Sequence, residues 1–174
     1  MVKGKLSSTL EDYLEAIYRI EKEKRAARVR DISRYLGVAK STVNAALKSL
    51  SEKELVEYEP YELIVLTRLG YEKASAIVMN HEIIRHFLRD ILLLDENRSE
   101  AIACEMEHAV DREAIERFAC FIAFLESAEE SEAQWVSNFR KFLSNSSSEE
   151  SFKDCIAEYV KKFHPDDDQA WETA

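Results

Sequence analysis

The sequence predicts a mainly α protein: an N-terminal winged helix-turn-helix with a small two-stranded wing, followed by an all-helical dimerisation domain. Three observations carry this. Three Gly and two Pro in 174 residues are too few turn formers for a sandwich or barrel, and they exclude a Gly-rich phosphate loop. Apolar residues recur at helical spacing over most of the chain. Between residues 28 and 66 that pattern gives way to a short helix, a glycine, a second helix and two brief apolar runs, which is the order of a helix-turn-helix and its wing.

Ser7, Ser8 and Thr9 offer capping oxygens to a first helix. Glu11 and Asp12 lie in its first turn, where negative charge suits the helix dipole. Leu10, Tyr13, Leu14, Ile17, Tyr18 and Ile20 form its apolar stripe, to about residue 23. Val29, Ile32 and Leu36 make one face of a short helix, which Gly37 can end by turning left-handed. The next helix covers about residues 40–53, with Val43, Leu47 and Leu50 facing inward. Its outward residues Lys40, Ser41, Thr42, Asn44, Ala45 and Lys48 are small, polar or basic, and such a face can enter a major groove. Residues 55–58 and 63–66 read as strands around a turn. Glu57, Glu59 and Glu62 make this wing acidic, so it should add little phosphate affinity.

Thr67 caps a long helix over about residues 68–94, which carries His81 and the apolar Ile83, Ile84, Phe87, Leu88, Ile91 and Leu92. After a break at 95–98 comes a helix over 100–108, then another to about residue 126 with the stripe Ile115, Phe118, Ala119, Ile122 and Leu125. These two stripes are the predicted dimer interface. Residues 126–132 read as a loop. A short amphipathic helix covers 135–143, and Ser147 with Glu150 forms a capping-box candidate. A last helix over 152–163 is expected to cover the dimerisation core. The predicted domains are 1–70, 71–127 and 128–174.

The net charge is -10, which alone disfavours a polyanionic partner, but it is unevenly spread. Residues 1–75 carry 14 Lys/Arg against 12 Asp/Glu, whereas residues 76–174 carry 10 against 22. Within residues 19–48, nine basic residues, Arg28 and Arg30 among them, face three acidic ones. One basic stripe on an acidic body suggests a single surface for double-stranded DNA. No apolar run approaches the ~20 residues that cross a bilayer, and the N-terminus has no signal-peptide core. The expected location is therefore cytoplasmic, with no membrane partner. Three widely spaced cysteines do not make a disulfide framework.

Cys104-Glu105-Met106-Glu107-His108 is the stretch with the most chemistry. Read as helix, Cys104, Glu107 and His108 fall at i, i+3 and i+4 on one face, with Glu100 one turn earlier. Thiolate, carboxylate and imidazole together suit a divalent transition metal. Taken alone, the same residues also describe a buried cysteine beside a solvated helix surface.

The order of these parts resembles the diphtheria-toxin-repressor family of iron- and manganese-responsive transcriptional regulators, over about residues 7–126. Residues 9–18, the winged helix-turn-helix, Asn80-His81-Glu82 and Cys104 to His108 carry the resemblance. It implies a metal-activated repressor: a homodimer that binds a palindromic operator when Mn(II) or Fe(II) sits between the N-terminal helix and the dimerisation domain. By position, the implied metal ligands are Asp12, Glu15, His81, Cys104, Glu107 and His108. Asp12, Glu15 and His81 match the manganese branch, Cys104 matches the iron branch, and Glu107 and His108 match both. Glu100 stands where the iron branch has a second-site histidine, but Arg85 replaces that site's glutamate. The implied DNA face is Arg28, Arg30, Lys40, Ser41, Thr42, Asn44 and Lys48. A thiol also widens the preference toward Co(II) or Zn(II). The competing reading is a metal-independent winged-helix regulator that senses oxidation at Cys104, Cys120 or Cys155. An enzyme is not expected, because the chain shows no nucleophile elbow or phosphate loop.

Overall fold

The computed structural model describes residues 6–58, 63–127, 133–145 and 149–163. Helix α1 (Ser8–Lys24) starts at Ser7, whose Oγ accepts from Leu10 N at 3.4 Å, and stops where Arg25 turns left-handed at φ 66°. Helices α2 (Val29–Leu36) and α3 (Lys40–Glu52) follow, joined through Gly37 at φ 67°. The predicted turn therefore has its glycine for the expected reason. Leu14, Ile17, Ile32, Val43, Leu47 and Leu50 are fully buried together with Ile64 from the wing. This single N-terminal core fixes α3 against α1 and leaves the other side of α3 to solvent.

Strands β1 (Val56–Glu57) and β2 (Val65–Leu66) pair antiparallel, Val56 opposite Leu66. A bridge between Ala27 and Ile64 extends the pairing to the segment before α2, with bonds of 3.1 and 2.9 Å. Glu21 of α1 accepts from Leu66 N at 3.1 Å. The wing is thus attached to α1 at its base, and residues 59–62 of its turn lie outside the described residues.

Helix α4 (Arg68–His86) begins at Thr67, as the sequence predicts: its Oγ1 accepts from Gly70 N at 3.0 Å and donates to Glu54 O at 2.7 Å. The predicted single helix to residue 94 is instead α4 followed by a π-helical turn at Phe87–Ile91, where Leu92 N reaches back five residues to Phe87 O. The chain then leaves the helix at Leu93, φ 57°. Helix α5 (Glu96–Met106) is shifted from the expected 100–108. Asp95 starts it early by accepting from Arg98 N at 3.0 Å, and Glu107 is its C-cap. His108 therefore lies in the turn beyond the helix.

Helix α6 (Arg112–Ser127) packs Ile115 with Ile84, Leu88 and Ala103. Ile115, Ile122 and Leu125 of the predicted dimer stripe are buried within the chain itself, whereas Phe121 and Phe124 are exposed. The outward aromatic face is thus one step round the helix from the stripe that periodicity marks. Helix α7 (Ala133–Asn145) adds Val136 to Ile91 and Leu125. Helix α8 (Glu149–Phe163) leaves Phe152, Ile156 and Tyr159 exposed, so in the single chain it does not cover the core as expected. Of the loop expected at 126–132, residues 126 and 127 belong to α6 instead, and residues 128–132 and Ser147 of the capping-box candidate lie outside the described residues.

Gly70 sits against the segment between α3 and β1: a Cβ built there would lie 1.8 Å from the Leu55 carbonyl oxygen. Gly70→Ala should cost at least about 2 kcal/mol in urea unfolding, because backbone would have to move. Gly37→Ala meets nothing within 4 Å and should cost only the left-handed penalty of about 1 kcal/mol.

Candidate metal centre and nucleic-acid face

Two donor groups lie between α1, α4 and the end of α5. Asp12, Glu107 and His108 form one, and Glu15, His81 and Glu107 the other; within each, the donor atoms are within 4.8 Å of one another. Glu107 belongs to both. The local structure explains the meeting. Asp12 and Glu15 are a helical turn apart on α1, and α1 lies along α4, which carries His81. Glu107 and His108 reach the same place because α5 ends at Met106 and the chain turns there.

His81 is buried, with Glu107 Oε2 at 2.7 Å from Nδ1 and Glu100 Oε2 at 3.2 Å from Nε2. His108 has Glu11 Oε2 at 2.7 Å from Nδ1 and Asp12 Oδ1 at 2.9 Å from Nε2. A carboxylate on each ring nitrogen favours the imidazolium, in which both nitrogens donate. The Glu107 hydrogen bond lifts the His81 pKa above the usual imidazole range despite burial. Burial pulls the other way at His108, but Glu11, Glu107 and Asp12 outweigh it and the pKa is again raised. Burial pushes the Glu107 carboxyl up as well, with His81 only partly opposing it. All three shifts favour the protonated forms.

Glu107 Oε1 is buried and makes no hydrogen bond, although His108 Nε2 lies 3.3 Å away. An orphaned carboxylate oxygen is costly, and among so many acidic groups a cation is what would satisfy it. The residues thus fit a divalent ion: carboxylate oxygens and imidazole nitrogens from three elements converge on one small volume. Glu15 Oε1 is held meanwhile by Arg19 Nε at 2.7 Å.

Of the sequence-predicted ligands, Asp12, Glu15, His81, Glu107 and His108 come together. Cys104 does not join either group and is exposed. Burial of its sulfur, then the carboxylates of Glu107, Asp12, Glu15 and Glu100, push its thiol pKa up, so the sulfur stands beside the centre as a thiol. Glu100 contributes to the His81 environment, and Arg85, 3.9 Å from it, is tied to Glu82 at 2.7 Å and Glu96 at 2.6 Å. Sequence reasoning missed Glu11, taken there only as helix-dipole charge. Its spacing of four from Glu15 was the available signal.

Arg28, Arg30, Lys40, Ser41, Thr42, Asn44 and Lys48 are all exposed, on α2, on α3 and at the α2 N-terminus. Val43, Ala46, Leu47 and Leu50 anchor the opposite side of α3. No helix among the described residues is long and apolar enough to cross a membrane.

Two family profiles match the chain: iron dependent repressor, N-terminal DNA binding domain, over residues 5–63, and iron dependent repressor, metal binding and dimerisation domain, over residues 67–135. An uncharacterised helix-turn-helix-type transcriptional regulator of Methanocaldococcus jannaschii is 38% identical over 118 residues, 67% of this chain and 94% of that protein. The chain belongs to the iron-dependent repressor family. The helix-turn-helix-type transcriptional regulator MntR of Bacillus pumilus is 33% identical over 126 residues, 72% of this chain and 87% of the relative. The solved structure of the manganese regulator SloR superposes with a TM-score of 0.60 at 26% identity, covering 66% of this chain and 54% of that one. The chain thus spans about half the length of that solved regulator, and its residues after 135 lie beyond the matched family domains.

The raised His81, His108 and Glu107 values share one consequence. The folded, metal-free chain binds more protons than the unfolded chain near neutrality, so its stability is greatest below the unfolded imidazole pKa and falls as pH rises through the folded values. Melting in the presence of a chelator should show a Tm that declines from pH 6 to pH 8, and His81→Gln should flatten that slope.

Proposed function

We propose that this protein is a metal-activated transcriptional repressor that acts as a homodimer on a palindromic double-stranded DNA operator in the cytoplasm, and that it is not an enzyme. One observation carries the proposal: His108 lies between Glu11 and Asp12, residues 97 and 96 positions away in sequence. One centre therefore joins the first helix of the DNA-reading unit to the helical unit behind it. We assign the units to residues 1–70 and 71–127, with 128–174 as a helical extension.

Asp12, Glu15, His81, Glu107 and His108 would hold the ion, with Glu11, Glu100 and Cys104 at its margin. A bound Mn(II) or Fe(II), or Co(II) or Zn(II) in vitro, supplies the positive charge that this acidic centre otherwise meets with protons. Asp12 and Glu15 then tie α1 to His81 and to the turn after α5. Because α1 also carries the core under α3 and the Glu21 contact to the wing, fixing α1 fixes the reading head. Dimerisation through the exposed Phe121 and Phe124 face would set the separation of two such heads. Cation and operator affinity are then linked, and a coupling of ~1–3 kcal/mol would make a useful switch. Most of the DNA affinity would come from Arg28, Arg30, Lys40 and Lys48 on phosphates, and specificity from Ser41, Thr42 and Asn44. Oxidation sensing at Cys104 is disfavoured, because burial and then the surrounding carboxylates raise its thiol pKa and work against the reactive thiolate form.

Operator-fragment binding titrated with Mn(II), Fe(II), Co(II) and Zn(II) under reducing conditions is the direct test. His108→Ala should abolish the metal response while the dimer persists in size-exclusion chromatography; a variant that still responds to Mn(II) or Fe(II) removes His108 from the centre. Lys40→Ala should weaken operator binding at every sequence and lower the salt slope by about one. Affinity for Mn(II), measured by calorimetry, should rise with pH as the imidazoles shed their protons.

A further inference from the structure

On the outward face of α3, one side chain is held from outside the helix. Asn44 Oδ1 accepts a hydrogen bond from the Tyr58 hydroxyl at 3.2 Å. Tyr58 follows β1, and its half-buried side chain packs against the N-terminal core. The hydroxyl is therefore presented from a ring fixed by packing. Asn44 is exposed beside Ser41, Thr42 and Lys48.

An asparagine with both ends of its amide available reads adenine bidentately, its oxygen accepting from N6 and its nitrogen donating to N7. Here one of the oxygen's two lone pairs already has a donor, in a direction set by the packed ring. Asn44 keeps both amide hydrogens to donate and one lone pair to accept. A side chain whose free donors outnumber its free acceptor sites suits a base edge that offers acceptors, and guanine presents O6 and N7 side by side in the major groove.

We propose that Tyr58 is a positioning residue for base recognition: it holds the Asn44 amide so that the nitrogen faces the groove, and so biases the base under Asn44 toward guanine over adenine. The inference rests on the reading of α3 as the DNA-facing helix. It makes Tyr58, the residue that follows β1, part of sequence recognition.

The test is selection from a random-sequence duplex library by the full-length protein with Mn(II), run in parallel for the wild type, Tyr58→Phe and Asn44→Ala. The wild type should enrich a palindrome with guanine at one position per half-site, and Asn44→Ala should flatten the preference there. Tyr58→Phe keeps the ring and its packing. It should move that position toward adenine by about tenfold, the size of one good base contact, and leave the other positions and the salt slope unchanged. An unchanged base profile in Tyr58→Phe, or a uniform loss of affinity with no change of profile, would overturn the proposal. So would a preference other than guanine at the Asn44-dependent position. Enrichment of no sequence by the wild type would overturn the DNA reading first and this inference with it.

Discussion

The structure depends on how a buried carboxylate is compensated. Glu107 is taken out of water with one oxygen on His81 and the other without a donor. Around it stand Glu11, Asp12, Glu15 and Glu100. So many acidic groups would repel one another at neutral pH unless something positive enters. In the metal-free protein that role falls to protons on His81 and His108, and to Arg19 on Glu15. The same contacts that hold α1 against the helical unit are therefore the ones most sensitive to what occupies the centre. Packing joins the two units as well, since Ala74 and Ile77 of α4 lie in or against the N-terminal core and Tyr18 meets Tyr71 at 5.1 Å, so the charged centre adds a condition-dependent contact to a union that apolar contacts already make.

That condition reaches the DNA-facing side through rigid parts. Helix α1 carries acidic donors on one face, and on another it buries Leu14 and Ile17 against the helices of the reading head. Its Glu21 takes the Leu66 amide at the base of the wing. A shift of α1 would bear on α2, α3 and the wing, whose buried side chains share its core. Gly70, pressed against the Leu55 carbonyl, similarly leaves no slack where α4 meets the head.

The helical unit shows a different division of labour. Ile84, Leu88, Ala103 and Ile115 close its own core, and α7 adds a small third core with Val136. Phe87 stacks near Phe118 and Phe121, at 5.0 and 6.2 Å, beside a groove of about 350 Å³. The exposed Phe121 and Phe124 next to that groove form a face suited to a second copy. Residues after 135 extend beyond the family's matched domains, and the apolar residues of α8 stay outward in the single chain.

Much of this was legible in the residues. Ser7, Gly37 and Thr67 mark helix ends by chemistry that acts over three or four residues, and all three act as expected. The apolar stripes of α1, α2 and α3 name the first core, because a 3.6-residue period has one inward face. The convergence of Asp12, Glu15, His81, Glu107 and His108 came from resemblance to a family and not from spacing, since residues some 95 positions apart carry no local signal of contact. Helical spacing grouped Cys104 with Glu107 and His108; Glu107 and His108 join the two donor groups, and Cys104 stands beside them, within the influence of Glu107, Asp12, Glu15 and Glu100. Periodicity found an apolar stripe on α6 but could not say that the chain itself would bury it. The sequence by itself determined the helix ends at Ser7, Gly37 and Thr67 and the apolar faces of α1, α2 and α3, because those follow from nearest-neighbour sterics and hydrogen bonding. Tertiary structure alone decided that Glu11 joins His108, that Glu107 serves two groups and that Tyr58 holds Asn44, because each depends on how separate helices dock.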